Sequence, residues 1–287
     1  MRFLILLAAL LVPPAASSQW PTLRVTQMAE HAEGLSRPHD AAFSPDGRLL
    51  YVTDMQNSRV RVFEAMSLKP VGSFGERELA YPHDTAFDAA GRLLVADTGN
   101  NRIAIYLVQG AAATLAGEIK GIAGTEGVAV LPDGGIVATS TRSANLSLIR
   151  GDRVERSVGR YGKADGELAN PHDVEVDADG RIHVVDSGNN RVQVFDSNLR
   201  HLSTTPAALG LNGPKYIAFD GATVWLADEY NHRILRLDRA LKPTGVLGGK
   251  PGRAADAFNQ PEAVLARAPY LWVIDTYNDR IVLLKVE

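Results

Sequence analysis

The 287-residue chain contains no cysteine. Disulfides, thiolate catalysis, iron–sulfur clusters and lipid attachment through a lipobox are therefore excluded, and the fold must hold by packing and hydrogen bonding. No run of Lys or Arg occurs and the formal net charge is −3, so nucleic acid is not an expected partner. Long apolar stretches are missing as well. The segment "FLILLAALLV", Phe3–Val12, has ten residues, too few for a bilayer span. It follows Arg2 and precedes the small residues "PPAASSQ", which is the make-up of a secretory signal. We expect residues 1–18 to be that signal, with cleavage near Ser17 or Ser18. Residues 19–287 should then form one exported domain, periplasmic or secreted, monomeric and without a membrane span.

What the chain has is repetition. The stretches "DMQNSRVRVF" from Asp54, "DTGNNRIAIY" from Asp97, "DSGNNRVQVF" from Asp186, "DEYNHRILRL" from Asp228 and "DTYNDRIVLL" from Asp275 share Asp-x-x-Asn-x-Arg-(Val/Ile). A sixth copy, "STRSANLSLI" from Ser140, has Ser for Asp and Asn145 for Arg. Successive copies start 43, 43, 46, 42 and 47 residues apart. Around each copy, apolar residues alternate with polar ones between Gly, Asp, Asn and Pro turns, as in four short strands. Four strands at this period predict a blade of a β-propeller. The expected fold is all-β, a six-bladed propeller. The last unit lacks a fourth strand, so the segment from Pro21 should pair into it and close the ring. Asp, Asn and Arg of the repeat suit a loop that pairs and caps its own backbone, a structural role.

A second pattern rides on the first. Pro-His-Asp occurs at Pro38-His39-Asp40, Pro82-His83-Asp84 and Pro171-His172-Asp173. In register, the six units place His39, His83, Glu126, His172, Lys215 and Glu262 at the head of their first strand. That strand lines the channel of a propeller, so the six side chains should ring one mouth. Imidazoles and carboxylates are ligands for zinc and other divalent ions, and His39, His83, His172, Glu126 and Glu262 are the metal candidates. Alternate blades suggest two triads: His83, His172 and Glu262 as two imidazoles plus a carboxylate, and His39, Glu126 and Lys215. Lys215 would pair with Glu126 or bind an anionic substrate. Asp40 and Asp84 are further substrate-binding candidates. The other reading is that His suits a strand start and that the Asp residues hydrogen-bond locally. His183 reads as a packed strand residue, His232 sits at a variable position of the repeat loop, and His31 and His201 have no equivalents.

The repeat resembles the NHL family across roughly residues 21–287. The Gly-rich lead-ins "GRYGKADGELANP" from Gly159 and "GGKPGRAADAFNQP" from Gly248 belong to the same likeness. The Pro-His-Asp strand starts also resemble the lyase part of the peptidylglycine α-amidating enzymes, which cleaves peptidyl-α-hydroxyglycine to an amidated peptide and glyoxylate. That resemblance implies zinc held by His39, His83 and His172. It implies Asp173 as the Asp beside a ligand, and Tyr230 in "DEYNHR" or Tyr277 in "DTYNDR" as the assisting tyrosine. The family's assisting Arg has no counterpart motif here, and blade six offers Glu262 instead of His. The ligand expected at the mouth is small and polar or a peptide. Two other functions stay open: a non-enzymatic propeller binding a protein, peptide or glycan, and a gluconolactonase-like sugar-lactone hydrolase.

Overall fold

Six antiparallel sheets of four strands each, described for residues 20–287 in a computed structural model, stand around one axis. The expected signal, residues 1–18, lies outside the described residues. Blade one runs Pro38–Phe43, Leu49–Asp54, Arg59–Glu64 and Pro70–Phe74 from the channel outward. Blades two to five begin with Pro82–Phe87, Thr125–Val130, Pro171–Val176 and Pro214–Asp220, and blade six with Ala263–Arg267. First strands of neighbouring blades touch all the way round, including blade six against blade one. Among the described residues no helix is long and apolar enough to cross a membrane.

The ring closes as the strand count requires. Val25–His31 pairs antiparallel with Arg280–Val286, from Val25 opposite Val286 to His31 opposite Ile281. The chain reaches that edge by way of blade five, where Leu23 N donates to Val246 O and Val246 N to Pro21 O, at 2.8 and 2.9 Å. Across the seam, Leu50, Val52 and Phe63 of blade one share a core with Trp272, Ile274, Ile281 and Leu283 of blade six. Trp272 Nε1 donates to Ala65 O at 2.6 Å. Burying two faces of every blade supplies the apolar area that cystines would otherwise supplement.

The Asp-x-x-Asn-x-Arg loops do the work expected of them. Asp54 Oδ2 accepts from Arg59 Nε at 2.8 Å and from Asn57 Nδ2 at 2.9 Å, and its Oδ1 accepts from Ser36 N at 2.8 Å. The same triple contact recurs at Asp97, Asp186, Asp228 and Asp275. Each loop thereby ties the second and third strands to the lead-in of the first. In blade three Ser140 takes the place of Asp: its hydroxyl donates to Ala123 O and accepts from Ser143 N.

Blade six carries the extreme case, because Arg280 and Asp275 are both fully buried and 2.6 Å apart. Asp275→Ala would leave the buried guanidinium with Glu30 as its one remaining carboxylate and should cost about 3 kcal/mol, read as a shift of the urea midpoint. Ser140→Ala, which strands no charge, should cost about 1 kcal/mol. Equal losses in the two variants would show that the motif is not a charge tie.

Candidate functional site

Each first strand is entered through a left-handed residue: φ is +51° at Arg37, +49° at Tyr81, +63° at Gly124, +48° at Asn170, +63° at Gly213 and +49° at Gln260. Four of the six are not glycine (Arg37, Tyr81, Asn170 and Gln260), and a non-glycine residue there costs about 1–2 kcal/mol. Proline follows in five blades and fixes the next φ. Directly after it the ladder slips. A bulge falls between Pro38 and Ala41, Pro82 and Thr85, Thr125 and Val128, Pro171 and Asp173, and Pro214 and Ile217. Bulges re-aim side chains. Here the residue after proline faces the channel mouth, and the one after it faces down the channel.

His39, His83, Glu126, His172, Lys215 and Glu262 accordingly all line one cavity of about 390 Å³, with Arg37, Met55, Thr141, Asn170 and Tyr277 at its wall. The contacts do not follow alternate blades. His39 and His172, from opposite blades, stack with ring centroids 5.1 Å apart and planes 8° apart. His39 Nε2 lies 2.7 Å from Glu262 Oε2, and His172 Nε2 lies 3.1 Å from Glu126 Oε2. Neighbouring blades pair because the channel is narrow and a slot side chain meets the next blade before it meets the next but one. One donor atom each from His39, His172 and Glu262 falls within 4.8 Å of the others, a spacing that could hold a metal ion. The expected triad of His83, His172 and Glu262 is thus replaced by His39, His172 and Glu262. His83 stands beside it, its ring 4.3 Å from that of His39 and 6.2 Å from that of His172. Its Nδ1–H donates to Tyr81 O at 2.8 Å, which turns Nε2 into the lone-pair nitrogen.

The polar accounts of the trio are incomplete. Glu262 Oε2 has His39 Nε2 at 2.7 Å as its ion-pair neighbour but no aligned hydrogen bond, and His172 Nδ1 is buried with no hydrogen-bond partner. Buried polar atoms are rarely left so, and an unpartnered imidazole nitrogen beside a carboxylate suits a cation. The donor set, two imidazoles and a carboxylate, fits a borderline divalent ion.

Burial depresses the His83 imidazole to about 4, with His39 adding to the effect. Burial, then Lys215, holds His172 well below its ordinary value. Both are neutral at pH 7 and free to act as ligands. Burial raises the Glu126 carboxyl. Burial would also raise Glu262, but His39 and Lys215 outweigh it and hold this carboxyl low. Burial alone would lower Lys215, yet the carboxylates of Glu262, Glu229 and Glu126 keep its ammonium above the ordinary value.

Glu229 is a residue the repeat gave no reason to single out. It occupies the loop position after Asp228, is 1% exposed, and its Oε2 lies 3.6 Å from Lys215 Nζ. Burial lifts its carboxyl to about 7. Arg37 was also missed. Its guanidinium lies 3.8 Å from the centre of the Tyr277 ring, and among the described residues it has no carboxylate partner. The only signal for it was its place before Pro38. Tyr230 packs beside Gly213 and Glu229 and is half-exposed, away from the cavity wall.

The three aspartates are elsewhere. Asp40, Asp84 and Asp173 do not line this cavity, which corrects the expectation that Asp40 and Asp84 bind substrate there and that Asp173 works beside the ion. They tie blade to blade. Asp84 Oδ2 accepts from Val128 N at 2.6 Å, Asp173 Oδ2 from Ile217 N at 2.8 Å, and Asp40 Oδ2 from Thr85 N at 3.4 Å. The bulge is the reason, since it sends adjacent residues to opposite ends of the hub. Where Asp is missing, the position is used otherwise. A Cβ on Gly127 would lie 2.7 Å from Val174 N, so blade three needs glycine to let blade four approach. Tyr216 fills the axis, its ring edge-on to those of His39 and His172 and its hydroxyl 3.1 Å from His39 Nδ1. It separates the imidazoles from the aspartates. His183, as expected, is packed: 2% exposed, with Nε2 3.0 Å from Asp177 Oδ2.

The NHL repeat family matches residues 79–106 and 168–195, the lead-ins and three inner strands of blades two and four. Two of the six blades thus match that repeat. No curated protein matches the chain. Among solved structures, the propeller superposes on a catalytically inactive virginiamycin B lyase from Staphylococcus aureus with quinupristin, at 13% identity and a TM-score of 0.63. That alignment covers 93% of this chain and 99% of the other. An auxiliary nutrient binding protein from Bacteroides thetaiotaomicron gives 12% identity and a TM-score of 0.70, covering 93% of this chain and 75% of the other. Hydrazine synthase from Kuenenia stuttgartiensis gives 14% and 0.65, covering 89% and 97%. At these identities the likeness establishes the propeller.

On the far side of Tyr216, Asp40, Asp84, Asp173 and Glu175 share buried space. Burial, then the charge of Asp84, pushes Glu175 up to about 8. A carboxyl raised on folding contributes stability that is complete below its unfolded value and lost as pH rises through its folded one. The native protein should therefore lose stability between about pH 4.5 and 8 more steeply than Glu175→Gln does. Parallel stability–pH curves for the two proteins in urea titrations would refute the buried-acid assignment.

Proposed function

We propose that the chain is an exported metal-dependent lyase of the peptidyl-α-hydroxyglycine type, working at the imidazole-lined mouth of the channel. The observation that carries the reading is the convergence of His39, His172 and Glu262 within 4.8 Å, in a cavity that also presents Lys215, Arg37 and Tyr277. His39, His172 and Glu262 would hold a divalent ion, with zinc the best match to two imidazoles and a carboxylate. When bound, such an ion supplies Lewis acidity toward a hydroxyl or carbonyl oxygen.

The chain's own groups supply the rest. A small substrate ending in α-hydroxyglycine bears a carboxylate, for which Arg37 and Lys215 are unmatched or only loosely matched cations. Glu126 lines the cavity, is held by a 3.2 Å hydrogen bond from Thr141 Oγ1, and has its pKa raised by burial. It is suited to take the proton of the hydroxyl and return it to the departing nitrogen. The C–N bond breaks, the hydroxyl carbon becomes the aldehyde of glyoxylate, and the nitrogen leaves as a primary amide, so atoms and charge balance. Tyr277 stacks under Arg37 and fixes its direction. Two fold neighbours carry lyase names, which supports the propeller as a scaffold for this class of chemistry. The apolar run at residues 3–12 supports export.

Protein prepared without a histidine tag should retain about one equivalent of zinc. His39→Ala and His172→Ala should each lower retention at least tenfold, and His201→Ala should not change it. The same preparation should release glyoxylate from an α-hydroxyglycyl peptide. Metal retained in both slot variants would sink the ion site. Turnover of a lactone panel with no glyoxylate would hand the site to a hydrolase, and metal-free protein that still binds peptide would make it a recognition module.

A further inference from the structure

The channel has a second mouth on the opposite face. Below Tyr216 lies a cavity of about 370 Å³ lined by Asp40, Asp84, Asp173 and Glu175 and by the rings of Phe43, Phe87 and Phe219. The phenylalanines sit three residues beyond Asp40, Asp84 and Tyr216 on the same strands, about 10 Å further down. The cavity thus has an acidic floor and aromatic walls. No cationic side chain lines it among the described residues; Arg267 lies over the Phe43 ring at 3.9 Å but is not a lining residue. Thr85 also lines the space, is 5% exposed, and leaves its hydroxyl without a hydrogen-bond partner.

A bare metal ion does not fit this floor. Among the described residues only His39, His172 and Glu262 bring three ligand atoms within 4.8 Å, so the four acids are spread too widely to share one desolvated ion at oxygen–metal distances of about 2.4 Å. An ammonium group asks for fewer carboxylates: two carboxylates and one hydroxyl satisfy its three N–H donors. A carbon body attached to it would lie against the phenylalanine faces, where cation–π and apolar contact both favour it. We infer that this second cavity binds a small primary ammonium compound, its three N–H donors on Glu175, Asp84 and Thr85 Oγ1 and its apolar body between Phe43, Phe87 and Phe219. The inference is independent of the reading at the imidazole mouth.

Burial pushes Glu175 up to about 8, so at neutral pH this floor carries a proton that a cation would displace.

Benzylammonium chloride is the probe. At neutral pH, calorimetry should show saturable binding with a Kd of about 1 mM or tighter, and a heat that varies with the buffer's ionisation enthalpy because protons leave. Glu175→Gln should weaken binding at least tenfold, and Thr85→Val should weaken it measurably. Glu175 accepts only from the amide of its neighbour Val176, so its variant keeps every blade tie and its fold can be verified by circular dichroism. Asp173→Asn, which touches a tie, is not needed. His83→Ala should leave affinity unchanged. The proposal is overturned by absence of saturable binding, by equal affinity for benzyl alcohol, by unchanged affinity in Glu175→Gln, or by calcium chloride competing at lower concentration than the amine.

Discussion

Everything at the hub depends on the pairing of Val25–His31 with Arg280–Val286. A propeller blade has no reason to present its inner strand to five others unless the ring is complete. Here the closing strand comes from the far end of the sequence, so a chain with long-range order in only five blades would have no site at all. The seam is reinforced where it is weakest. Trp272 reaches from blade six to the backbone of blade one, and Arg280, buried at the seam, is neutralised by Asp275 and by Glu30 of the closing strand. Without cysteine, this is how the fold resists opening at one joint.

Closure has a cost, since it forces polar groups into a narrow core. Isolated buried charges are strongly unfavourable, and the molecule deals with its two sets differently. At the upper mouth burial strips protons from His83 and His172, leaving neutral bases beside carboxylates and one ammonium. At the lower mouth burial adds protons to carboxylates. Tyr216 is the partition. Its ring stands between them, and its own ionisation is suppressed by burial and by the acids below.

The period of Asp-x-x-Asn-x-Arg made the architecture legible before any coordinate, because a loop that staples two strands to a lead-in has to recur once per blade. The slot was legible too: registering Glu126, Lys215 and Glu262 with the three histidines anticipated a single cavity wall. What could not be read was direction. Adjacent residues of a regular strand face opposite sides, but a bulge decides which of His172 and Asp173 goes to which mouth, and its cue is a left-handed residue before proline. Tyr81 and Arg37 give no hint of a positive φ. Nor could the pairing be read, since alternate-blade symmetry assumes a channel wide enough for side chains to pass one another. Arg37 and Glu229 escaped for a related reason: each belongs to a loop position filled by unlike residues in the other blades.

The position after the slot shows how fold and chemistry are divided. Asp, Gly, Tyr or Ala stands there, and three of these choices answer a packing demand: Asp ties an amide of the next blade, Gly127 admits a neighbouring backbone, and Tyr216 fills the axis. The slot answers no such demand, for His, Glu and Lys all occupy it on the same bulge. A residue that the fold requires is replaced only by one that meets the same steric or hydrogen-bonding need. A residue that the fold merely aims can change its charge and its proton affinity from blade to blade. Six freely chosen side chains aimed at one small volume are the condition for building a site, and all six of them here are titratable.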